Sequence, residues 1–191
     1  MILTHNIRRA IKFSIKTHEV YQKQKRKGKD VAFITHPLSV GLILSLAGAD
    51  ENEIIAGILH DTIEDSIPEK KVTKEMLAER FGEKTANLVQ SVTELDKSVP
   101  WDIRKREMIE SIGSYSRSSL LVKSADIVSN MSELIDDYKR WGEEVFERFY
   151  ASKEKLIGHY LEAIDCILSR WEENPLKSDL IWIKDELKAI K

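Results

Sequence analysis

Apolar residues fall on helical repeats along most of the chain. Ile7, Ile11 and Ile15 recur every fourth residue, which marks one face of a helix. The spacing predicts a first helix from about Thr4 to Lys27 that stops near Gly28. Its end is crowded with Lys23, Lys25, Arg26, Lys27 and Lys29, a charge sign that suits a helix C-terminus. The string FITHP follows. Pro37 fits a first helical turn, so His36 stands at a helix entrance and Gly48 marks the exit. Asp50 with Glu53 reads as a capping box for the next helix. That helix, EIIAGILHDTIED, is apolar on nearly every side until His60, which predicts burial against several neighbours. Pro68 breaks it. Shorter helices are expected over about 73–81 and 83–94, then a loop from Asp96 to Pro100, then helices over about 101–113, 118–140 and 143–172. After Pro175, Leu180, Ile183, Leu187 and Ile190 follow a 3-4-3 spacing. No stretch alternates with period two. The expectation is an all-α, single-domain helical bundle over 1–172, with a C-terminal helix in 173–191 that packs on it or on a partner.

Composition sharpens this picture. Eight glycines and four prolines in 191 residues are about half of average usage, as a helical chain requires. Thirty basic against 32 acidic residues give a net charge of −2, which speaks against a protein that coats nucleic acid. The single cysteine, Cys166, has no internal disulfide partner. The opening MILTHNIRR has too short an apolar run for a signal peptide, so a reducing, cytoplasmic setting is expected. No stretch reaches the ~20 apolar residues of a membrane span.

Ionisable residues inside apolar helices need pairing or a metal, because burying charge is costly. His36 opens one apolar helix, His60 and Asp61 end the most apolar one, and Asp126 interrupts a run of Leu, Val, Ala and Ile. Two imidazoles and two carboxylates suit a divalent metal such as Mn²⁺, Fe²⁺ or Zn²⁺ and leave coordination positions for water and substrate. Such a metal makes hydroxide accessible near neutral pH. Glu64 and Asp65 lie four residues beyond His60 and Asp61, on the same helix face, where they would orient or deprotonate an attacking water. Spacing alone also allows HDTIED as a solvated helix end and Asp126 as a cap or the partner of a lysine. His18 shares the face of Ile7, Ile11 and Ile15 and is expected to pack in the core or behind the site. His5 and His159 lack acidic neighbours at ligand spacing and are expected at the surface. Trp141, Phe146, Phe149, Tyr150 and Tyr160 read as core or pocket wall. No Gly-rich phosphate loop occurs, which excludes a P-loop enzyme.

The ordered strings RK-x(8)-HP, HDTIED, VTELDK and LVKSADIVSNM resemble the HD superfamily. More narrowly they resemble the hydrolase domain of RelA/SpoT homologues and the small alarmone hydrolases, over about residues 7–160. The resemblance implies an HD-type helical bundle with one metal, usually Mn²⁺, held by His36, His60, Asp61 and Asp126. It assigns management of the water to Glu64 and Asp65, and nucleotide binding to Arg26, Lys27 and Asn130. The reaction it implies removes the 3′-pyrophosphate of (p)ppGpp. The chain departs from the pattern where Ile127 and Ser132 replace arginines and Phe33 replaces a tyrosine. It departs again at Trp101, where a lysine is usual, and at Val145 and Phe149, in the region of an arginine and a tyrosine. These departures thin the phosphate-binding residues and leave two alternatives open. One is an HD phosphatase or pyrophosphatase acting on another nucleotide. The other is a non-catalytic nucleotide or RNA binder using the basic run 23–29. The apolar stripe of the last helix also leaves a homodimer open.

Overall fold

The computed structural model describes residues 3–94 and 98–190. Part of the expected Asp96–Pro100 loop, with the end of the VTELDK string, lies outside the described residues. The chain divides into two compact units, Met1–Thr93 and Glu94–Lys191. Among the described residues the secondary structure is helical, with one isolated antiparallel bridge, Lys25 to Ala32.

In the first unit, α1 (His5–Ile15) starts at Thr4, whose side chain accepts from the Ile7 amide. The helix does not run on to Lys27. It widens into a π-helical turn, Lys16–Tyr21, after which Lys23 takes φ 51° and the chain folds back, Arg26 N donating to Val31 O at 2.8 Å. The reason lies in the residues past Ile15. The Ile7–Ile15 stripe has no apolar continuation at residue 18 or 22, and Gln24 turns inward to bond two other side chains. The cations 23–29 therefore sit on a turn, not on a helix end.

The pair that positions the site is α2 (Thr35–Leu46) and α3 (Glu51–Leu59), which pack against each other. Two glycines permit the close approach. A Cβ on Gly41 would stand 2.6 Å from Ile58 Cγ1, and one on Gly57 would stand 2.3 Å from Leu44 Cδ1. The Asp50–Glu53 capping box starts α3 as expected. Its end comes early: a turn at His60–Asp61 separates it from α4 (Thr62–Asp65), where Thr62 Oγ1 donates to Leu59 O at 2.7 Å. Beyond the 3₁₀ turn Pro68–Lys70, α5 (Lys74–Phe81) and α6 (Glu83–Val92) pack together across Gly82, at φ 89°. Leu44, Leu59, Leu77 and Val89 are fully buried in this unit.

The second unit contains α7 (Trp101–Ile112), α8 (Arg117–Trp141), the 3₁₀ turn Gly142–Arg148, α9 (Lys153–Arg170) and α10 (Lys177–Ile190). The helix expected over 143–172 begins only at Lys153, because Gly142, at φ 66°, ends α8 and the chain tightens into the 3₁₀ turn. Leu180, Ile183, Leu187 and Ile190 are all buried, and α10 packs on α8 and α9. Phe146 is core, as expected. Trp141 and Tyr150 are not, being 46% and 94% exposed. Trp141 ends α8 under the Arg140 guanidinium, and Tyr150 lies between elements. Among the described residues no helix is long and apolar enough to cross a membrane.

Candidate metal centre

In the first unit, His36 lies in the first turn of α2, His60 caps the end of α3, and Asp61 follows in the turn. The glycine-lined packing of α2 on α3 accompanies the meeting of the two imidazoles, with Nε2 of His36 3.2 Å from Nε2 of His60. Asp61 Oδ2 stands 3.1 Å from the second of these nitrogens and 3.6 Å from the first. His60 Nδ1 lies 2.7 Å from Gly57 O. A carbonyl only accepts, so this contact assigns the proton to Nδ1 and leaves the Nε2 of a neutral ring as a lone pair. Two ring nitrogens and a carboxylate oxygen thus converge, and an anchored outer nitrogen is the arrangement that orients a metal-binding histidine. This donor set fits a divalent cation of intermediate hardness. Both histidine side chains are buried, whereas Asp61 is 19% exposed, so the cluster meets solvent at its carboxylate.

Glu64 and Asp65 stand one turn beyond, with Asp65 N donating to Asp61 O at 2.9 Å. Glu64 is half-buried. Asp65 is buried and its Oδ2 accepts from Gln24 Nε2 at 2.8 Å, while Gln24 Oε1 lies 3.1 Å from His18 Nδ1. HDTIED is therefore not a solvated helix end. Burial pushes the His18 pKa below the usual imidazole value against the pull of Gln24, Asp61 and Asp65. His18 lies fully buried behind Asp65, in keeping with its expected packing role. Arg26 reaches the cluster through a ring. Its guanidinium carbon is 5.7 Å from the Phe33 centroid, and Phe33 is 5.8 Å from His36 and 5.0 Å from His18. Lys27 is exposed on the same turn.

In the second unit, Asp126 is buried on α8. Its Oδ2 accepts from Lys123 Nζ at 2.8 Å and its Oδ1 from Asn130 Nδ2 at 2.7 Å. Burial opposes the Lys123 charge, but the Asp126 and Glu94 carboxylates outweigh it and hold the ammonium above its ordinary pKa. Glu94 in turn pairs with Arg104 and Lys105. His159, expected at the surface, is buried. It lies three residues after Leu156 and four before Ala163 on the buried face of α9, 5.8 Å from the Trp101 ring and 5.2 Å from Tyr160. Burial first, then Lys105 and Lys123, lower its pKa to about 3. Two of the departures, Ile127 and Val145, are core residues of this unit. Sequence reasoning missed Gln24 and the Gly57 carbonyl, and it left the lysine partner of Asp126, here Lys123, as an open alternative. Gly57 and Lys123 each lie three residues before a candidate ligand.

A family model described as an HD domain matches residues 10–154. The chain is 32% identical over 155 residues to the guanosine-3′,5′-bis(diphosphate) 3′-pyrophosphohydrolase MESH1 of Xenopus tropicalis, covering 73% of this chain and 84% of that relative. It is 33% identical over 163 residues to MESH1 of Danio rerio, covering 75% and 88%. A solved structure described as a metazoan ortholog of SpoT that hydrolyzes ppGpp superimposes with a TM-score of 0.77 at 25% identity, over 96% of each chain. With the helical fold and the histidine–aspartate cluster, these likenesses place the chain in the HD superfamily, among its RelA/SpoT-like hydrolase domains, as an all-α metal-dependent phosphohydrolase.

Proposed function

We propose that this chain hydrolyses guanosine-3′,5′-bis(diphosphate) to GDP and pyrophosphate, with Mn²⁺ or a similar divalent cation held by His36, His60, Asp61 and Asp126. The observation that carries the reading is the convergence of His36 Nε2, His60 Nε2 and Asp61 Oδ2, with His60 anchored on Gly57 O. Asp126 is added as the fourth ligand from the order of the family motifs. Its Oδ2 accepts from Lys123 and its Oδ1 from Asn130, and a carboxylate oxygen carries two lone pairs. When bound, such a cation supplies Lewis acidity, lowering the pKa of water and offsetting charge on the phosphoryl group. Glu64 takes the proton of the attacking water, and Asp65, held by Gln24, orients that water. The water oxygen joins the phosphorus bonded to the ribose 3′ oxygen, that P–O bond breaks, and the departing 3′ oxygen takes a proton. Arg26, over Phe33, stacks on the base, while Lys27 and Asn130 meet the ribose and phosphates. In this reading residues 1–172 form the hydrolase domain, 173–191 supply a helix that braces it or a second copy, and the protein works in the cytoplasm.

Purified protein with Mn²⁺ should release pyrophosphate from ppGpp. Glu64→Gln should keep the metal and slow turnover by roughly a hundredfold. A second reading, hydrolysis of a different nucleotide, draws on the core placement of Ile127 and Val145, where family members offer phosphate-binding arginines in or near these positions. Release of inorganic phosphate, or turnover of another nucleotide with ppGpp inert, would establish that reading instead.

A further inference from the structure

The first unit holds a cavity of about 310 Å³ lined by none of the residues assigned to the reaction. Its walls come from the end of α1, the π-helical turn, the 3₁₀ turn with the residues that follow it, and α5. Lys16, Lys70, Lys71 and Arg80 contribute four cations against one carboxylate, Glu69. None of these four forms an ion pair with a carboxylate among the described residues. Three of them lie over aromatic rings instead. Lys16 and Lys70 place their ammonium groups 5.4 Å and 5.8 Å from the Tyr21 centroid, and the Arg80 guanidinium lies 5.4 Å from Phe13. Lys71 alone is committed to a backbone oxygen, that of Ile63, at 2.7 Å. A hydrogen bond with Lys16, reinforced by the charges of Lys16, Lys70 and Arg80, holds the Tyr21 phenol below its ordinary pKa, which registers the positive field at the cavity wall. Phe13, Val72 and Met76 add apolar wall, and Thr17 lines the cavity with its hydroxyl donating to Phe13 O.

Clustered cations repel one another in a concave site, and each gains from an anion that neutralises several of them together. The volume is at the small end for a small-molecule site, and the mixture of apolar wall and convergent charge is what such sites offer. We infer that this cavity is a second ligand site, separate from the metal centre, that takes a small phosphorylated molecule carrying at least two negative phosphate charges, of the nucleoside diphosphate class. The site does not depend on the reaction proposed above. It shares the turn Lys16–Tyr21 with His18, which stands behind Asp65 through Gln24, so an anion held by Lys16 would brace the turn that carries this relay.

The test titrates GDP and, separately, inorganic pyrophosphate into the 191-residue chain by calorimetry, in chelator so that no divalent metal contributes. Two double variants are compared with the native chain: Lys16→Glu with Lys70→Glu at the cavity, and Arg26→Glu with Lys27→Glu at the candidate metal centre. Lys70→Gln with Arg80→Gln serves as a milder cavity variant, and thermal melts confirm folding. The native chain should bind GDP, more weakly at high salt, and the cavity variants should bind at least about tenfold more weakly while the Arg26/Lys27 variant retains the affinity. Pyrophosphate binding without GDP binding would overturn the nucleotide class. Binding that survives both cavity variants, or no binding of either probe at millimolar concentration, would overturn the site.

Discussion

Asp61 and Asp126 carry the same chemical group on two different units, in opposite local settings. Asp61 faces two imidazole nitrogens, one of them fixed as a lone pair by its neighbour's bond to Gly57 O. Asp126 lies between an ammonium and an amide NH₂, both donors. The first cluster brings two ring nitrogens and a carboxylate oxygen within 3.6 Å of one another, a donor set suited to a cation. The second carboxylate already balances a buried lysine. Removing Asp61 should therefore be a defect of function, and removing Asp126 a defect of folding as well.

The largest expected effect is on turnover. Asp61→Ala should lower phosphohydrolase activity by roughly a thousandfold or more, since several kcal/mol of transition-state stabilisation go with the metal. Steady-state assays across Mn²⁺ concentrations check this. The melt of the metal-free variant should move far less than that of Asp126→Ala. Asp126→Ala strands Lys123, and breaking a buried pair from one side costs about 3 kcal/mol, the low end because Glu94 still faces the ammonium. Urea unfolding of metal-free protein measures the loss. Pairing Asp126→Ala with Lys123→Met should recover most of the stability and none of the activity. Equal stability losses for Asp61→Ala and Asp126→Ala would break the contrast.

Gly57→Ala probes how the first cluster is positioned. The new methyl would press on Leu44, fully buried, and overpacking of this kind costs about 1–3 kcal/mol. The same shift should weaken metal affinity, because Gly57 O orients His60. A last effect is a pH slope in the second unit, small over any single pH unit. His159 has a folded pKa near 3 and an ordinary value of 6.5, so the unfolded chain binds the extra proton between these limits. The stability from keeping it neutral is fully present above pH 6.5 and is lost as pH falls toward 3, at up to about 1.4 kcal/mol per pH unit. Lys105, Lys123 and Glu94 face the same ring and are unchanged in His159→Leu, so that variant should show a shallower slope across this window.

The helical fold was legible because the apolar repeats and the caps agree. The capping box at Asp50, the exit at Gly48 and the buried stripe of α10 all follow from local residues. The end of α1 was not legible. The turn after it depends on Gln24 reaching His18 and Asp65, and Asp65 is 41 residues away. The burial of His159 was not legible from acidic neighbours along the chain, because its partners are aromatic rings and cations from other helices. For the site, spacing supplied HDTIED and the apolar setting of Asp126. The orientation of His60 by a backbone carbonyl has only helix periodicity behind it, and the pairing of Asp126 with Lys123 was one of the readings that spacing left open.

The most direct test of the account is a calorimetric titration of Mn²⁺ into metal-free protein, native and Asp61→Ala. One Mn²⁺ should bind per native chain with release of heat, and Asp61→Ala should lose that binding while its metal-free fold persists. Undiminished Mn²⁺ binding by a folded Asp61→Ala protein would contradict a cation held by His36, His60 and Asp61.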